Sequence, residues 1–265
     1  MNNILKITLL SLMLSFISCK KDTKTAPSAL VPTSTTTPTS STLGKLNVEF
    51  ENVVDTIGLQ FGTNYVNQNA DTFKVSVLQY YISNIVVTNT DNTTFVEPNS
   101  YHLIDHSTPL SSIVSLINVP MGSYKSISFM LGVDSTRNVS GAQAGDLNQA
   151  NGMYWPWIGY IMFKIEGTSL KVPASNNYAY AYHIGGYGGA LKAQRNFTFN
   201  FVATPANVST SITPKIHLQT NVLEVFKTPN IIDLGVTYDI TSVNNRSKAI
   251  ADNYADMIRF KHVHN

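Results

Sequence analysis

Ile127-Ser-Phe-Met-Leu-Gly-Val133 sets an apolar side chain at every second position, and that period decides the fold. Successive side chains of an extended strand point to opposite faces, so Ile127, Phe129, Leu131 and Val133 share one buried face. The pattern recurs along the chain. Leu46, Val48 and Phe50 form one such face, Phe73, Val75 and Val77 a second, and Phe197, Phe199 and Phe201 a third. Residues 82–88 are a denser apolar run, which predicts a central strand. Turn residues separate the runs: Asp91-Asn92, Pro120-Met-Gly122, Ser140-Gly141, Gly185-Gly186 and Gly188-Gly189. The expected fold class is all-β, an antiparallel two-sheet sandwich with one long irregular insertion at about 134–153 and a short C-terminal helix. That helix is predicted over 247–260, where Ile250, Tyr254, Met257 and Ile258 recur at helical spacing. A further helical turn is expected within 110–117.

Ahead of the strands, a charged start ends at Lys6, residues 7–17 are apolar, and Ser18-Cys19 follows. The apolar run is too short to span a bilayer and fits the core of a signal peptide. Residues 1–18 are therefore expected to be a lipoprotein signal peptide, with Cys19 as the lipidation site. Residues 19–43 are expected to be a lipidated Thr/Ser/Pro tether, because that composition cannot bury enough apolar surface to offset its ordering entropy. The β-domain is expected over 44–265, held at the cell envelope by an outer-membrane lipid anchor and facing periplasm or cell surface. Cys19 is the only cysteine. Once it is used as an anchor, the domain has no thiol for disulfides, thiolate metal sites or cysteine nucleophiles. Charged residues make up 13% of the chain and the net charge is +2, with no basic cluster, so no nucleic-acid partner is expected.

The chain has six histidines but no His-Glu-x-x-His motif, phosphate loop, dinucleotide fingerprint or nucleophile elbow. His262-Val-His264 is a pair whose imidazoles point to one side of an extended segment and could reach one metal ion. Against that, the pair ends the chain, where fraying is the default. His183 follows Tyr178-Ala-Tyr-Ala-Tyr182, with the tyrosines on one strand face and the histidine opposite, just before a glycine-rich turn. It reads either as a ligand or as a hydrogen-bonded structural residue. Trp155 and Trp157 read as an aromatic core cluster, since an intact indole offers only an N–H donor. His217 falls on the solvent face with Lys215 and Gln219 and is assigned no role. His102 and His106 flank a strand and a turn.

Several segments taken together carry a resemblance. They are Leu78-Gln-Tyr-Tyr-Ile-Ser-Asn-Ile85, Phe129-Met-Leu-Gly-Val-Asp-Ser135, Gly152-Met-Tyr-Trp-Pro-Trp157, Gly159-Tyr-Ile-Met-Phe-Lys-Ile-Glu-Gly167, Tyr182-His-Ile-Gly-Gly186, and the terminal stretch 253–265. In their order and spread the chain resembles the copper-binding MbnP-like family of bacterial envelope proteins. The resemblance implies a β-sandwich and copper as cofactor. It also implies a tryptophan oxidised to kynurenine, here Trp155 or Trp157, by a dihaem, MauG-like peroxidase as partner. His183, His262 and His264 are the implied metal ligands, in a binding protein with no catalytic residues, not a turnover enzyme. Trp157-Ile-Gly159 is one residue shorter than the family's Trp-x-x-Gly spacing. A competing expectation is a surface module that binds glycans or an envelope protein through its aromatic residues. A third is a substrate of the dihaem oxidase without metal storage.

Overall fold

A computed structural model describes residues 42–141 and 143–265. The expected signal peptide, Cys19 and nearly all of the tether lie outside the described residues. The apolar alternations become strands β1 (Leu43–Val54), β2 (Ile57–Gly58), β3 (Tyr65–Val66), β4 (Thr72–Asn89), β5 (Thr94–Val96) and β6 (Tyr101–Asp105). Next come β7 (Ile113–Pro120), β8 (Gly122–Leu131), β9 (Tyr154–Trp155), β10 (Gly159–Thr168) and β11 (Ala179–Gly185). The chain closes with β12 (Arg195–Asn200), β13 (Ala206–Val208), β14 (Lys215–Asn221), β15 (Asp239–Ile240) and β16 (Ile258–His264). Two α-helices, α1 (Ser135–Val139) and α2 (Asn245–Asn253), interrupt them.

The strands form a five-stranded sheet, ordered β16-β14-β1-β2 with β7 also on β1, and an eleven-stranded sheet whose spine runs β12-β8-β4-β10-β11-β15. β4 is central, as its apolar run predicts: it pairs with β3, β5, β6, β8 and β10. Pairing is antiparallel except for β1 with β14 and β11 with β15.

The inner faces meet over an aromatic and aliphatic core. Leu46, Val48 and Phe50 from one sheet and Ile127, Phe129, Leu131 and Val133 from the other are buried. Phe50 meets Phe129 edge-on, ring centroids 5.5 Å apart. Fully burying such a side chain contributes about 1.5–3 kcal/mol. One polar link crosses the same interior: the Tyr80 hydroxyl on β4 donates to Asn52 on β1 at 2.8 Å and lies 3.1 Å from the Thr220 hydroxyl on β14. Its partners satisfy a group that would be costly to bury alone.

Four local expectations change. A bulge in β4 opposite Glu166/Gly167 leaves Ser76 outside the ladder, so Val77 is only partly buried and Leu78 takes the inward place. Within 110–117 only the first three residues are helical, in the 3-10 turn Pro109–Ser112; the rest belongs to β7. The C-terminal helix stops at Asn253, continues as the 3-10 turn Tyr254–Asp256, and gives way to β16 at Ile258. Ile250, Tyr254, Met257 and Ile258 are all buried nonetheless, because a helix end and a strand start can share one core. Tyr178 lies outside β11, at φ +59°, and is exposed, while Tyr180 and Tyr182 are buried.

Gly167 sits beside the β4 bulge. A Cβ there would lie 1.8 Å from the Lys74 carbonyl oxygen and 2.7 Å from the Tyr180 hydroxyl. Gly167→Ala is expected to destabilise the domain by about 3 kcal/mol, the upper end for overpacking against backbone. Gly58→Ala, which meets nothing within 4 Å, is expected to leave the denaturant midpoint nearly unchanged.

Candidate metal centre

On β14, Ile216 and Leu218 point into the core, which turns Lys215, His217 and Gln219 outward. On β16, Ile258 and Phe260 pack inward. Strict alternation would send residues 262 and 264 inward as well. Instead the register passes from Leu218 opposite Phe260 to His217 opposite His262, leaving Lys261 unpaired. This one-residue bulge reverses the parity, so that His262 and His264 emerge on the solvent face beside His217. The terminus does not fray: the Asn265 side chain accepts from Asn207 N at 2.7 Å and donates to the Pro205 carbonyl at 3.0 Å.

One ligand atom from each of His217, His262 and His264 lies within 4.8 Å of the others. His217 Nδ1 is 3.4 Å from His262 Nε2, which is 2.6 Å from His264 Nε2. Metal–imidazole bonds of about 2.0–2.1 Å set neighbouring nitrogens about 3.3 Å apart in a tetrahedral site. The first pair already matches that spacing, and the second opens to it by a small rotation of two exposed rings. The donor set therefore fits an imidazole-bound metal ion. Slight desolvation, then the charges of His264, His217, Lys261 and Lys215, hold His262 below the ordinary imidazole pKa.

His183 is not among these ligands. It stands on β11 in the other sheet, 2.7 Å from Glu166 Oε1 through Nε2. Its Nδ1 is buried without a partner among the described residues, and Trp155 meets the ring edge-on at 5.1 Å. Trp155 in turn stacks on Trp157 at 5.2 Å. The two tryptophans do not form a core cluster: Trp157 is 72% exposed and Trp155 only partly buried. The single centre drawn from His183, His262 and His264 is thus divided in two, and His217, set aside as a solvent-face residue, completes the terminal pair. The missed signal was positional: His217 shares its face with Glu49, opposite it on β1, and with His262. His102 is held by Glu97 at 2.8 Å, and His106 bonds the Leu59 carbonyl at 3.0 Å and meets Phe61 edge-on. Both are engaged structurally.

A two-sheet sandwich with imidazoles gathered on the outer face of its smaller sheet is the class of protein these features define. The MbnP family model matches residues 43–245, and the chain belongs to that family. Among solved structures, MbnP from Methylosinus trichosporium shares the fold, with a TM-score of 0.52 and 15% identity over 77% of this chain and 83% of that one. No curated protein matches the chain.

Burial holds His183 and His106 below the ordinary imidazole value of 6.5, although Glu166 pulls the first upward and the Leu59 carbonyl and Asp105 pull up the second. Between that value and the lowered native ones, the unfolded chain binds more protons than the native chain. Stability is therefore expected to fall as pH drops below about 6.5. Urea midpoints measured from pH 7.5 to 5 check this, and His106→Gln is expected to flatten the slope.

Proposed function

We propose that this protein is an envelope lipoprotein that binds copper through His217, His262 and His264 and does not itself turn over substrate. The observation that carries the reading is the convergence of three imidazole nitrogens, within 4.8 Å of one another, on one exposed sheet face. Imidazole suits copper and also zinc. Membership of the MbnP family, together with the copper chemistry implied by the resemblance, favours copper. Within this reading Cys19 carries the outer-membrane anchor, and the sandwich faces periplasm or cell surface at the end of its tether. Three protein ligands on an open surface leave an outward coordination position, which suits uptake and hand-over of an ion better than sealed storage.

The Trp155–Trp157 pair beside His183 is the proposed place of aromatic modification, with a dihaem, MauG-like peroxidase as partner. Two peroxide equivalents, each reduced to water, would insert two oxygen atoms across the indole C2–C3 bond. Hydrolysis of the resulting formyl group would release formate and leave kynurenine. Of the two rings, Trp157 is open to an external oxidant and Trp155 is the one against His183. An aryl amine at Trp155 could join the unpartnered His183 Nδ1 as a second pair of donors.

Replacing any one of His217, His262 and His264 by alanine is expected to weaken copper binding at least tenfold in a chelator competition assay. Trp155→Phe and Trp157→Phe are expected to leave that binding in place. Copper uptake that is indifferent to all three histidines would sink the reading. Peptide mapping of protein purified from its native envelope is expected to show kynurenine at Trp155 or Trp157, and unaltered tryptophan at both removes that step. Recombinant protein made without a peroxidase is no test of it.

A further inference from the structure

Glu51 on β1 touches the one imidazole of the cluster that is fixed in place. Its Oε2 lies 3.1 Å from His217 Nε2 and 3.2 Å from Gln219 Nε2. A carboxylate oxygen accepts only, and an amide nitrogen donates only. His217 Nε2 therefore carries the ring proton, and Nδ1 presents its lone pair toward His262, 3.4 Å away. The opposite tautomer would face a nitrogen lone pair against the carboxylate and drive an N–H into the space the other two rings share.

The parallel register builds this arrangement. Glu51 stands opposite Gln219, and Glu49 stands opposite His217. Glu49 is taken by Lys215 at 2.6 Å, which leaves Glu51 as the carboxylate that reaches the imidazole. The His217 side chain is only 17% exposed, whereas His262 and His264 are exposed. One ring is thus braced by a carboxylate, and the other two stand exposed beside it.

We propose that Glu51, itself held by Gln219, is the positioning residue of the three-histidine centre. It fixes His217 as the Nε2–H tautomer, so that a metal ion is taken through His217 Nδ1, His262 Nε2 and His264 Nε2. The inference rests on the metal-binding reading above. Carboxylates that hold the far nitrogen of a ligating histidine orient the ring and raise its basicity, and losing one costs about 10–100-fold in metal affinity.

The test uses the full-length protein, copper as the probe, and long-range ¹H–¹⁵N spectra of the imidazole rings without metal. Wild type is expected to show His217 protonated at Nε2 and bare at Nδ1. Glu51→Ala is expected to give mixed tautomers and about 10–100-fold weaker copper binding, with an unchanged melting temperature without metal. Glu51→Gln keeps a carbonyl acceptor and is expected to restore the tautomer and most of the affinity. Gln219→Ala, which frees the carboxylate without removing it, is expected to cause a smaller loss. An Nδ1–H tautomer in wild type overturns the proposal, as does unchanged affinity in Glu51→Ala while the three histidine variants lose copper. Copper binding indifferent to those three histidines overturns the metal reading beneath it.

Discussion

The parallel ladder between β1 and β14 is the constraint on which the rest of the smaller sheet depends. It pairs residues 47–53 with 215–221, segments at opposite ends of the domain. Closing so long a loop is entropically costly before any contact rewards it. The reward lies on the inner face, where Val48, Phe50, Ile216 and Leu218 are buried together, and in the Tyr80 hydroxyl that ties Asn52 and Thr220 to the opposite sheet. The outer face inherits its order from the inner one. Because the core fixes the register, Glu49, Glu51, His217 and Gln219 stand in set rows on the outer face. β16 then adds its histidines to the free edge of β14.

Much of this fold was legible in the sequence because most strands bury one face, and a buried face writes itself as a period of two. The failures share a physical cause. A bulge inserts one residue and exchanges inside for outside beyond it, yet it has no composition signature of its own. Ser76 does this in β4 and misplaced Val77. Lys261 does it in β16, where Ile258 read as the last residue of a helix face. The helix signal was real through Asn253. The spacing of Met257 and Ile258 fitted it by coincidence, since the 3-10 turn and the strand start that follow pack on the same core.

The candidate site was half legible for a related reason. His262 and His264 carry local information, two ring nitrogens on one side of an extended chain, and the structure keeps them there. His217 lies 45 residues earlier, and nothing local distinguishes it from any polar residue opposite a core leucine. Only cross-strand pairing reveals it. Conversely, grouping His183 with the terminal pair assumed one site where there are two sheets. His183 and Trp155 face each other across the β9–β10–β11 region, while the terminal histidines belong to β14–β16.

The cluster is coherent as metal chemistry because its alternatives are poor. Three imidazole nitrogens this close cannot each turn an N–H toward the others, since the hydrogens would meet no lone pair. Nor can three bare lone pairs satisfy one another. A single cation in their midst resolves both difficulties, and a proton shared along the 2.6 Å contact does so for only two of the three rings. A metal ion would engage all three while Glu51 neutralises part of its charge from behind His217. The exposed edge also explains why the arrangement need not be sealed. Two rings on a surface strand can move to meet an incoming ion, provided the third, braced by Glu51 and Gln219 within the β1–β14 ladder, stays where it is.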